Sequence, residues 1–423
     1  MSINTRTKVL LDEWIGRIAV FGLNISARIL GKFMRINHSL DMIPQRIVVC
    51  KFLGMGSIIQ ATPLLQSLRK SFPNAQLCFV TSKGNVTLLN SVHVVDEVIP
   101  VDDSSVTALL SSTWKALRKL WKLKADLYID LETYSYYSTA IATMSCARNR
   151  FGFYRAERNI RMGVYTHMMF FNSRAPIAQS YLQMARLIGC REIVNDLYSF
   201  PVDEKVSAGF RNKVESLMNK KLSEYIVVNP NASDLRIERR WPGENMARLI
   251  EQLQARFPQY TILLIGAGNE KDWVRSVYQM ISADAKQSVY STAGLLTLHE
   301  LFALLKEARL LITNDTGPMH MSFSLRKQTV CLFGPASPTQ YGQNPNAFGL
   351  YKNIYCSPCV HDFLSPPCKG DNQCMKLISV EEVFRLCERV LNMEQWNPDP
   401  SLLENMVFTK HDGHASLGIV NRG

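Results

Sequence analysis

The chain lacks any long apolar run. In its 423 residues, the most apolar N-terminal stretch, Ile18 to Leu23, already ends at Asn24. A membrane-spanning helix needs about 20 consecutive apolar residues, so the sequence predicts no transmembrane segment. Asp12 and Glu13 interrupt the hydrophobic stretch that a secretory signal requires, which predicts that the protein is not exported. In a reducing cytosol we expect the ten cysteines to be largely thiols or metal ligands.

Glycine and proline are also scarce. The 22 glycines and 18 prolines are too few for a collagen-like or low-complexity chain, and 47% hydrophobic with 20% charged residues indicate ordered globular domains. The length predicts two or three of them. The 48 basic residues exceed the 36 acidic ones by 12, which favours anionic partners such as nucleic acid, acidic lipid or phosphorylated substrates. The sequence contains no recognisable nucleic-acid-binding motif, so we expect no nucleic-acid partner.

Residues 1–45 differ from the rest of the chain. Apolar residues recur near helical spacing from Leu10 to Ile29, with Arg17, Arg28 and Lys32 among them. One interpretation is an interfacial helix that lies on an anionic membrane. The other is a helix packed on the body of the protein, and the sequence leaves both open.

From Arg46 onward, short buried strands alternate with helices in two series. Strands are predicted near 47–50, 77–80, 98–101 and 127–130, and again near 225–228, 261–265, 310–312 and 329–333. This alternation predicts parallel sheets covered by helices on both faces. We therefore expect an α/β protein with two facing Rossmann-like domains and a central cleft, where an active site would lie. The expected segments are an N-terminal helical extension (1–45), a first domain (46–200), a second domain (201–395) and a C-terminal tail (396–423).

The most informative segment is T-N-D-T-G-P-M-H, from Thr313 to His320, between a buried strand and a helix-like stretch. Backbone N–H groups at such a turn, together with the helix N-terminus, suit a phosphate or diphosphate. Thr316 can add a hydroxyl donor and His320 a ring donor. The alternative is an ordinary capped junction, with Asp315 or Thr316 as the N-cap and His320 as a polar core residue.

Two further segments follow strand ends. Beyond Asn229-Pro230-Asn231, the adjacent Arg239 and Arg240 can clamp a diphosphate, because guanidinium groups match phosphate oxygens bidentately. Otherwise they belong to a solvated basic loop. After the first strand, Gly54 and Gly56 let the backbone approach a ligand closely, or simply form a tight turn.

Together these segments resemble glycosyltransferase family 9, the heptosyltransferases of lipopolysaccharide core assembly and their relatives, over residues 46–392. The run from Asp315 to His320 is similar to the family's D-T-G-x-x-H signature. The other matching positions are Arg239-Arg240-Trp241-Pro242, the first strand with Lys51 and Gly56, Thr62-Pro63, and Phe151-Gly152-Phe153.

The resemblance implies a GT-B fold and an inverting transfer without metal or cofactor. The donor would be a nucleotide diphosphate sugar, ADP-linked, and the acceptor a lipopolysaccharide-type or lipid-linked glycan. Acceptor binding is implied near Lys51, Gly54 and Gly56. At the diphosphate, the implied donor-binding residues are Thr316, Gly317 and His320, with Arg239 in place of the family's lysine. Arg240 and Asn231 are implied beside Arg239, and Asp315 in the loop. Leu296 is implied at the base and Glu270 at the ribose.

One position departs from the family. Its catalytic base is an aspartate directly after the glycine that Gly56 matches, and here that residue is Ser57. An inverting transfer needs a group that takes the proton of the acceptor hydroxyl, and an unassisted serine is a poor base. Glu132 follows a strand that should end at the same cleft, so it either takes over this role or only hydrogen-bonds the acceptor sugar. A third possibility is a protein that binds nucleotide sugars without transferring them.

Four cysteines, Cys356, Cys359, Cys368 and Cys374, lie close together in a proline-rich loop. They either hold a structural Zn²⁺ tetrahedrally or are free thiols or disulfides, and we expect no catalytic metal. The other six cysteines lie in apolar stretches and are interpreted as core residues.

The sequence and the resemblance thus predict a cytoplasmic glycosyltransferase. Its basic N-terminal segment would make it peripheral on the inner face of the bacterial cytoplasmic membrane, where a lipid-linked acceptor is available.

Overall fold

The structure is a computed structural model that describes residue 7, residues 10–232, 234–360, 366 and 368–393, and two short strands within 409–416. The chain divides into two compact units, Met1–Tyr198 and Ser199–Gly423. This division lies close to the expected boundary at residue 200, and it joins the N-terminal extension to the first unit. Apart from the two short strands, the predicted tail at 396–423 lies outside the described residues.

The first unit is built on a parallel sheet of six strands. They are β1 (Arg46–Cys50), β2 (Gln76–Ser82), β3 (Glu97–Val101), β4 (Leu127–Asp130), β5 (Asn149–Tyr154) and β6 (His167–Phe170). Their order across the sheet is β3-β2-β1-β4-β5-β6. Residues 47–50 of β1 are buried because helices cover both faces of a parallel sheet, which is why this part of the sequence is a continuous apolar run.

Seven helices of this unit connect or cover the strands in the described part of the chain. They are α1 (Arg17–Met34), α2 (Met55–Gln60), α3 (Thr62–Ser71), α4 (Val86–Asn90), α5 (Val106–Leu123), α6 (Tyr136–Met144) and α7 (Ile177–Ile188). A helical turn at Asp12–Gly16 precedes α1, and short 3₁₀ turns lie at Lys83–Asn85 and Ala156–Arg161.

The second unit repeats the same arrangement. Its parallel strands are β7 (Tyr225–Asn229), β8 (Thr261–Leu264), β9 (Val289–Ser291), β10 (Leu310–Asn314), β11 (Thr329–Phe333) and β12 (Ala347–Tyr351), followed by the antiparallel pair β13 (Thr409–His411) and β14 (His414–Ser416). The order is β13-β14-β12-β11-β10-β7-β8-β9. The six parallel strands therefore have the same relative order as those of the first unit.

The helices of the second unit are α8 (Glu204–Met218), α9 (Gly243–Arg256), α10 (Lys271–Met280), α11 (Leu298–Glu307), α12 (Gly317–Ser324), α13 (Pro338–Tyr341), α14 (Gln373–Lys376) and α15 (Val380–Leu391). Short 3₁₀ turns lie at Asp234–Arg239, Gly268–Glu270 and Ala285–Ser288. The fully buried Trp241 belongs to the core on one side of the sheet, where its ring N–H donates to the carbonyl of Ile378.

The N-terminal segment is attached to the first unit by polar contacts. The carboxylate of Asp12 accepts the backbone N–H groups of Tyr136 and Tyr137 at the start of α6. Glu13 forms an ion pair with Arg158, and the Asn24 amide donates to two backbone carbonyls of the loop before β6. Within the described residues, no helix combines the length and the apolar content that a bilayer crossing requires.

Four of the parallel strands were not predicted: β5, β6, β9 and β12. They are short, or they carry polar residues or glycine, as in N-R-F-G-F-Y of β5 and A-F-G-L-Y of β12. Such segments have little apolar periodicity of their own. Pairing with an already formed neighbour decides their conformation, because strand propensity depends strongly on context.

Asp12 should contribute to stability although it lies far from α6 in the sequence. Replacing Asp12 by Ala leaves two N–H groups at the start of α6 without their acceptor, which should cost about 1–2 kcal/mol of unfolding free energy. Urea denaturation measures this change. Asp272→Ala is the matched control, since the Asp272 side chain is 95% exposed and pairs only with Arg275 at the surface. Equal midpoints for the two variants would contradict the capping role.

Candidate functional site

In each sheet, successive strands are added outward in opposite directions from one pair of neighbouring strands. This pair is β1 and β4 in the first unit, and β7 and β10 in the second. In open α/β sheets, ligands bind beyond the carboxyl ends of the strands at such a point. The residues predicted from the sequence gather at these two edges. Arg239 and Asp315 follow β7 and β10, while Lys51 and Glu132 follow β1 and β4.

In the second unit, an asparagine network ties the loops after β7 and β10 together. The Asn229 amide donates to the hydroxyls of Thr313 and Thr316 at 2.9 and 2.8 Å and accepts from the Asn231 amide at 2.9 Å. The Asn314 amide donates to the carbonyl of Asn231 at 2.9 Å. Neither Asn229 nor Asn314 had been assigned a role from the sequence. The sequence signal that could have identified these two residues is a polar residue at the end of an otherwise apolar strand.

Two guanidinium groups of this edge keep buried donors that have no partner among the described residues. Arg239 Nη1 lies 3.2 Å from Asp315 Oδ2, but outside hydrogen-bond geometry, and donates to the Asp315 carbonyl at 3.4 Å. Arg240 stacks on Trp273 at 5.0 Å and donates to the carbonyl of Ala232. The Nε atoms of both arginines are buried and have no hydrogen-bond partner. Buried donors are normally satisfied, so these two indicate a ligand with acceptor oxygens.

Buried acceptors without a partner lie at the same edge. Asn231 Oδ1 and Asp315 Oδ2 are buried and accept no hydrogen bond. Carboxylate and amide oxygens suit hydroxyl groups, whereas guanidinium groups suit phosphate. The mixture fits a ligand that carries both, such as a phosphorylated sugar.

His320 is buried beside Asp315. Burial lowers the pKa of His320 to about 4, so its ring is neutral at pH 7 and carries a single N–H donor. Its Nε2 lies 3.8 Å from Asp315 Oδ1, which is longer than a hydrogen bond. The ring also packs edge-on against Phe323 and Tyr341, at 6.0 and 6.1 Å. His320 is therefore both a core residue and a neighbour of the loop, which joins the two interpretations that the sequence left open.

The Thr316 hydroxyl makes hydrogen bonds within the protein. It accepts from Asn229 and lies 3.3 Å from the carbonyl of Asn314, and it makes no capping hydrogen bond to α12. The hydroxyl that was expected to donate to a ligand thus already has two contacts within the protein. The first N–H groups of α12, which begins at Gly317, are left uncapped by this side chain and can face an anion.

Glu270 and Leu296 follow β8 and β9, the next two strands of the same edge. The Glu270 carboxylate accepts the N–H of Ala267 at 2.7 Å and thereby closes the 3₁₀ turn. Leu296 is half-buried. The structure thus brings the predicted donor-binding residues to four neighbouring loops of one unit.

In the first unit, Glu132 is a buried acceptor for the loop after β1. Its Oε2 accepts from Lys51 Nζ, and its Oε1 accepts from the N–H groups of Phe52 and Leu53, all at 2.8 Å. These three donors occupy much of the carboxylate's accepting capacity. Lys51 is likewise buried, so its ammonium group binds Glu132 and is not presented at the surface.

A second buried pair holds the segment that carries Glu132. The Asp130 carboxylate accepts the N–H of Glu132 at 2.9 Å and forms an ion pair with the fully buried Arg161. Arg161 also donates to the carbonyls of Glu132 and Thr133, both at 2.8 Å. Burial raises the pKa of the Asp130 carboxyl. Arg161 could not be identified from the sequence, because nothing local distinguishes it from the surface arginines near it.

Ser57 lies in the first turns of α2, one residue after the buried Gly56. Gly54, directly before the helix, has φ of +82°, a conformation that L side chains rarely adopt. The Tyr181 hydroxyl hydrogen-bonds Ser57, and burial raises the pKa of Tyr181. The serine is thus next to a neutral phenol.

The four clustered cysteines belong to the second unit and form no disulfide. Cys359 and Cys374 are buried, and burial with the neighbouring thiols raises the pKa of Cys374 to about 12. Among the described residues, no three His, Cys, Asp or Glu side chains are arranged to hold a metal ion. One of the other six cysteines, Cys146, is exposed and not a core residue as expected, because it lies in the loop after α6 with φ of +54°.

Comparison with known proteins agrees with this geometry. The sequence pattern of glycosyltransferase family 9 (heptosyltransferase) matches residues 113–366. Lipopolysaccharide heptosyltransferase 1 of Campylobacter coli is 24% identical over 362 residues, which cover 82% of this chain and 100% of the relative.

Two solved structures show the fold. The glycosyl transferase family 9 protein of Veillonella parvula superposes with a TM-score of 0.68 at 23% identity, covering 82% of this chain and 97% of its own. The ADP-heptose lps heptosyltransferase II of E. coli does so with a TM-score of 0.66 at 18% identity, covering 82% and 99%. The chain therefore has the GT-B fold, belongs to glycosyltransferase family 9 and is a glycosyltransferase.

Proposed function

We propose that the protein transfers heptose or a related sugar, with inversion, from a nucleotide diphosphate sugar to a lipopolysaccharide-type or lipid-linked glycan. The observation that carries the proposal is the edge formed by the loops after β7 and β10. There, the buried Nε donors of Arg239 and Arg240 lie at the same edge as the side-chain oxygens of Asn231 and Asp315, and none of these atoms has a hydrogen-bond partner among the described residues. A diphosphate satisfies the donors, and sugar or ribose hydroxyls satisfy the acceptors.

The family and the names of two related proteins support the sugar and the nucleotide. The related protein of C. coli is named a lipopolysaccharide heptosyltransferase, and the E. coli structure names ADP-heptose. An ADP-linked heptose is therefore the first donor to test. Positive charge from Arg239 and Arg240 would stabilise the leaving diphosphate, so we propose a transfer that needs no metal or cofactor.

In the proposed reaction, the acceptor hydroxyl oxygen attacks the anomeric carbon while the bond to the diphosphate breaks. The proton of that hydroxyl must go to a base. Glu132 is our candidate, and Ser57 occupies the position of the family's aspartate. The contacts of Glu132 with Lys51, Phe52 and Leu53 support the other role as well, in which it orders the acceptor loop. The two roles predict different kinetics.

The alternative function is nucleotide-sugar binding without transfer, which Ser57 motivates. An authentic donor–acceptor pair separates the two functions, because only a transferase forms the glycoside and releases the nucleoside diphosphate. A thermal-shift panel of nucleotide sugars identifies the donor first, since a ligand of the folded state stabilises it.

We also propose that the protein is cytoplasmic and bound to the inner face of the bacterial cytoplasmic membrane. The support is the helix α1, whose outer side carries exposed apolar residues such as Ile18 and Phe33 among basic ones. A lipid-linked acceptor would be reached from that surface.

Chelation is the direct test of the metal-independent transfer. Turnover of ADP-heptose should be unchanged in excess EDTA. Loss of turnover in EDTA, with recovery on adding back a divalent cation, would contradict it.

Arg239→Ala should weaken binding of the nucleoside diphosphate by roughly 1.5–3 kcal/mol, the typical loss for a charge-assisted hydrogen bond. Binding of the free nucleoside should barely change, because it lacks phosphate. Isothermal titration measures both. Arg248→Ala, at an exposed position of α9, is the matched control and should leave both affinities unchanged. Equal losses for the two ligands would show that Arg239 acts on the fold.

Glu132→Gln keeps the size of the side chain and removes its basicity. If Glu132 is the base, kcat should fall roughly 10²–10⁴-fold with donor affinity unchanged, and Ser57→Asp should partly restore turnover. If it only holds the acceptor loop, the acceptor KM should rise while kcat largely survives. The urea midpoint is recorded in parallel, because Lys51 loses its partner in this variant. Full activity would eliminate Glu132 from both roles.

A further inference from the structure

The outer side of α1 is apolar where a helix packed on a protein is normally polar. Val20 and Asn24 face the first unit and are buried. At 3.6 residues per turn, Ile18, Ile25 and Ile29 lie within roughly 40° of the direction opposite Val20. Ile18 is 73% exposed and Phe33, at the end of the same stripe, 79%. The first unit cannot cover this stripe, because its own contacts are on the other side of the helix.

A second exposed apolar stripe lies on α5. Val106, Leu110, Trp114 and Trp121 recur along this helix, and Leu110 and Trp114 are 65% and 56% exposed. The two tryptophan rings meet edge to face at 5.3 Å, and the Trp121 ring N–H donates to the carbonyl of Met144 at 2.6 Å. Tryptophan is the residue typical of membrane–water interfaces.

Both stripes belong to the same side of the first unit. Helices α1 and α5 each pack against α6, which lies between the sheet and solvent. Ala27 of α1 and Leu109 of α5 pack against one core cluster. Leu23 of α1 and Met144 at the end of α6 pack against a second cluster, and Trp121 of α5 donates to the Met144 carbonyl. The two helices therefore flank α6 and face outward together.

The charges on the two helices themselves have one sign. Neither α1 nor α5 contains an acidic residue. The exposed basic residues are Arg17, Arg28, Lys32 and Arg35 at α1, and Lys115, Arg118, Lys119, Lys122 and Lys124 at α5. The acids nearest α5 are Glu97, which pairs with Lys119, and Asp102 and Asp103 before the helix, of which Asp102 pairs with Lys83. Asp12 and Glu13, the acids closest to α1, are turned inward to α6 and Arg158.

We infer that α1 and α5 form one docking face for an anionic bilayer surface. The apolar stripes enter the boundary between headgroups and acyl chains, the tryptophans lie at the headgroup level, and the basic residues contact anionic headgroups. Two helices fix the orientation of the first unit on the membrane, whereas α1 alone would let the unit rotate about the helix axis. The inference rests on the proposed function in that the acceptor is lipid-linked.

The test is co-sedimentation of the full chain with vesicles of phosphatidylcholine containing phosphatidylglycerol. Ile18→Gln/Ile25→Gln on α1 and Leu110→Gln/Trp114→Gln on α5 should each lower the vesicle partition coefficient roughly tenfold or more. Lys115→Gln and Arg118→Gln should each lower it roughly fivefold. The matched control is Leu217→Gln/Leu377→Gln, at exposed apolar positions of the second unit. This variant should bind vesicles like the parent protein.

Circular dichroism and urea midpoints confirm that each variant is folded.

Several outcomes would overturn the inference. They are undiminished binding of the folded α5 variant, equal binding to pure phosphatidylcholine vesicles, or a protein that self-associates through this face and ignores vesicles. Turnover of a delipidated acceptor in solution separates this result from the proposed function. If that turnover persists while vesicle binding fails, only the docking face is wrong. If vesicles bind but no sugar is transferred, only the transferase proposal is wrong.

Discussion

In a parallel sheet, the loops that follow the strands all emerge at the same edge, and this constraint determines where the loops of a nucleotide-sugar site can meet. In both units the strand order places the first and fourth strands of the series side by side. The connections that leave these two strands run to opposite faces of the sheet, which opens a crevice between them. The segments with Lys51 and Glu132, and those with Arg239 and Asp315, follow the strands of these two pairs and therefore lie at these two points.

The charged groups at the two sheet edges differ in how they are paired. In the first unit, Lys51 with Glu132 and Asp130 with Arg161 are paired and buried, and they hold the loops in one shape. In the second unit, Arg239 and Arg240 retain buried donors that the protein does not satisfy. Satisfied buried pairs specify a conformation, whereas unsatisfied ones favour a ligand that completes them. The contrast fits a rigid acceptor loop and a donor loop completed by phosphate.

The N-terminal segment shows why one amphipathic pattern allowed two interpretations. Its inner side supplies Asp12, Val20 and Asn24 to the first unit, and its outer side is apolar and basic. One helix can fulfil both interpretations, because residues on its opposite sides lie in different environments. The segment is therefore part of the first unit, and its outward stripe still needs a partner.

The sequence by itself determined the α/β class, the two series of strands, and the loops that carry the site, because apolar runs and strand-end polar residues are local signals. The D-T-G-P-M-H run could be located after β10 in this way, whereas its role as a diphosphate loop is implied by the family resemblance. Only the tertiary structure decided which groups are paired. Arg161 reaches Asp130, Glu132 and Thr133 through the fold, and the Thr316 hydroxyl turns inward to Asn229. Strands such as β5 and β12 likewise depend on their neighbours. Hydrogen bonds between residues that are distant in the sequence produce no periodic pattern in that sequence. Their pairing can therefore be known only once the strands are assembled.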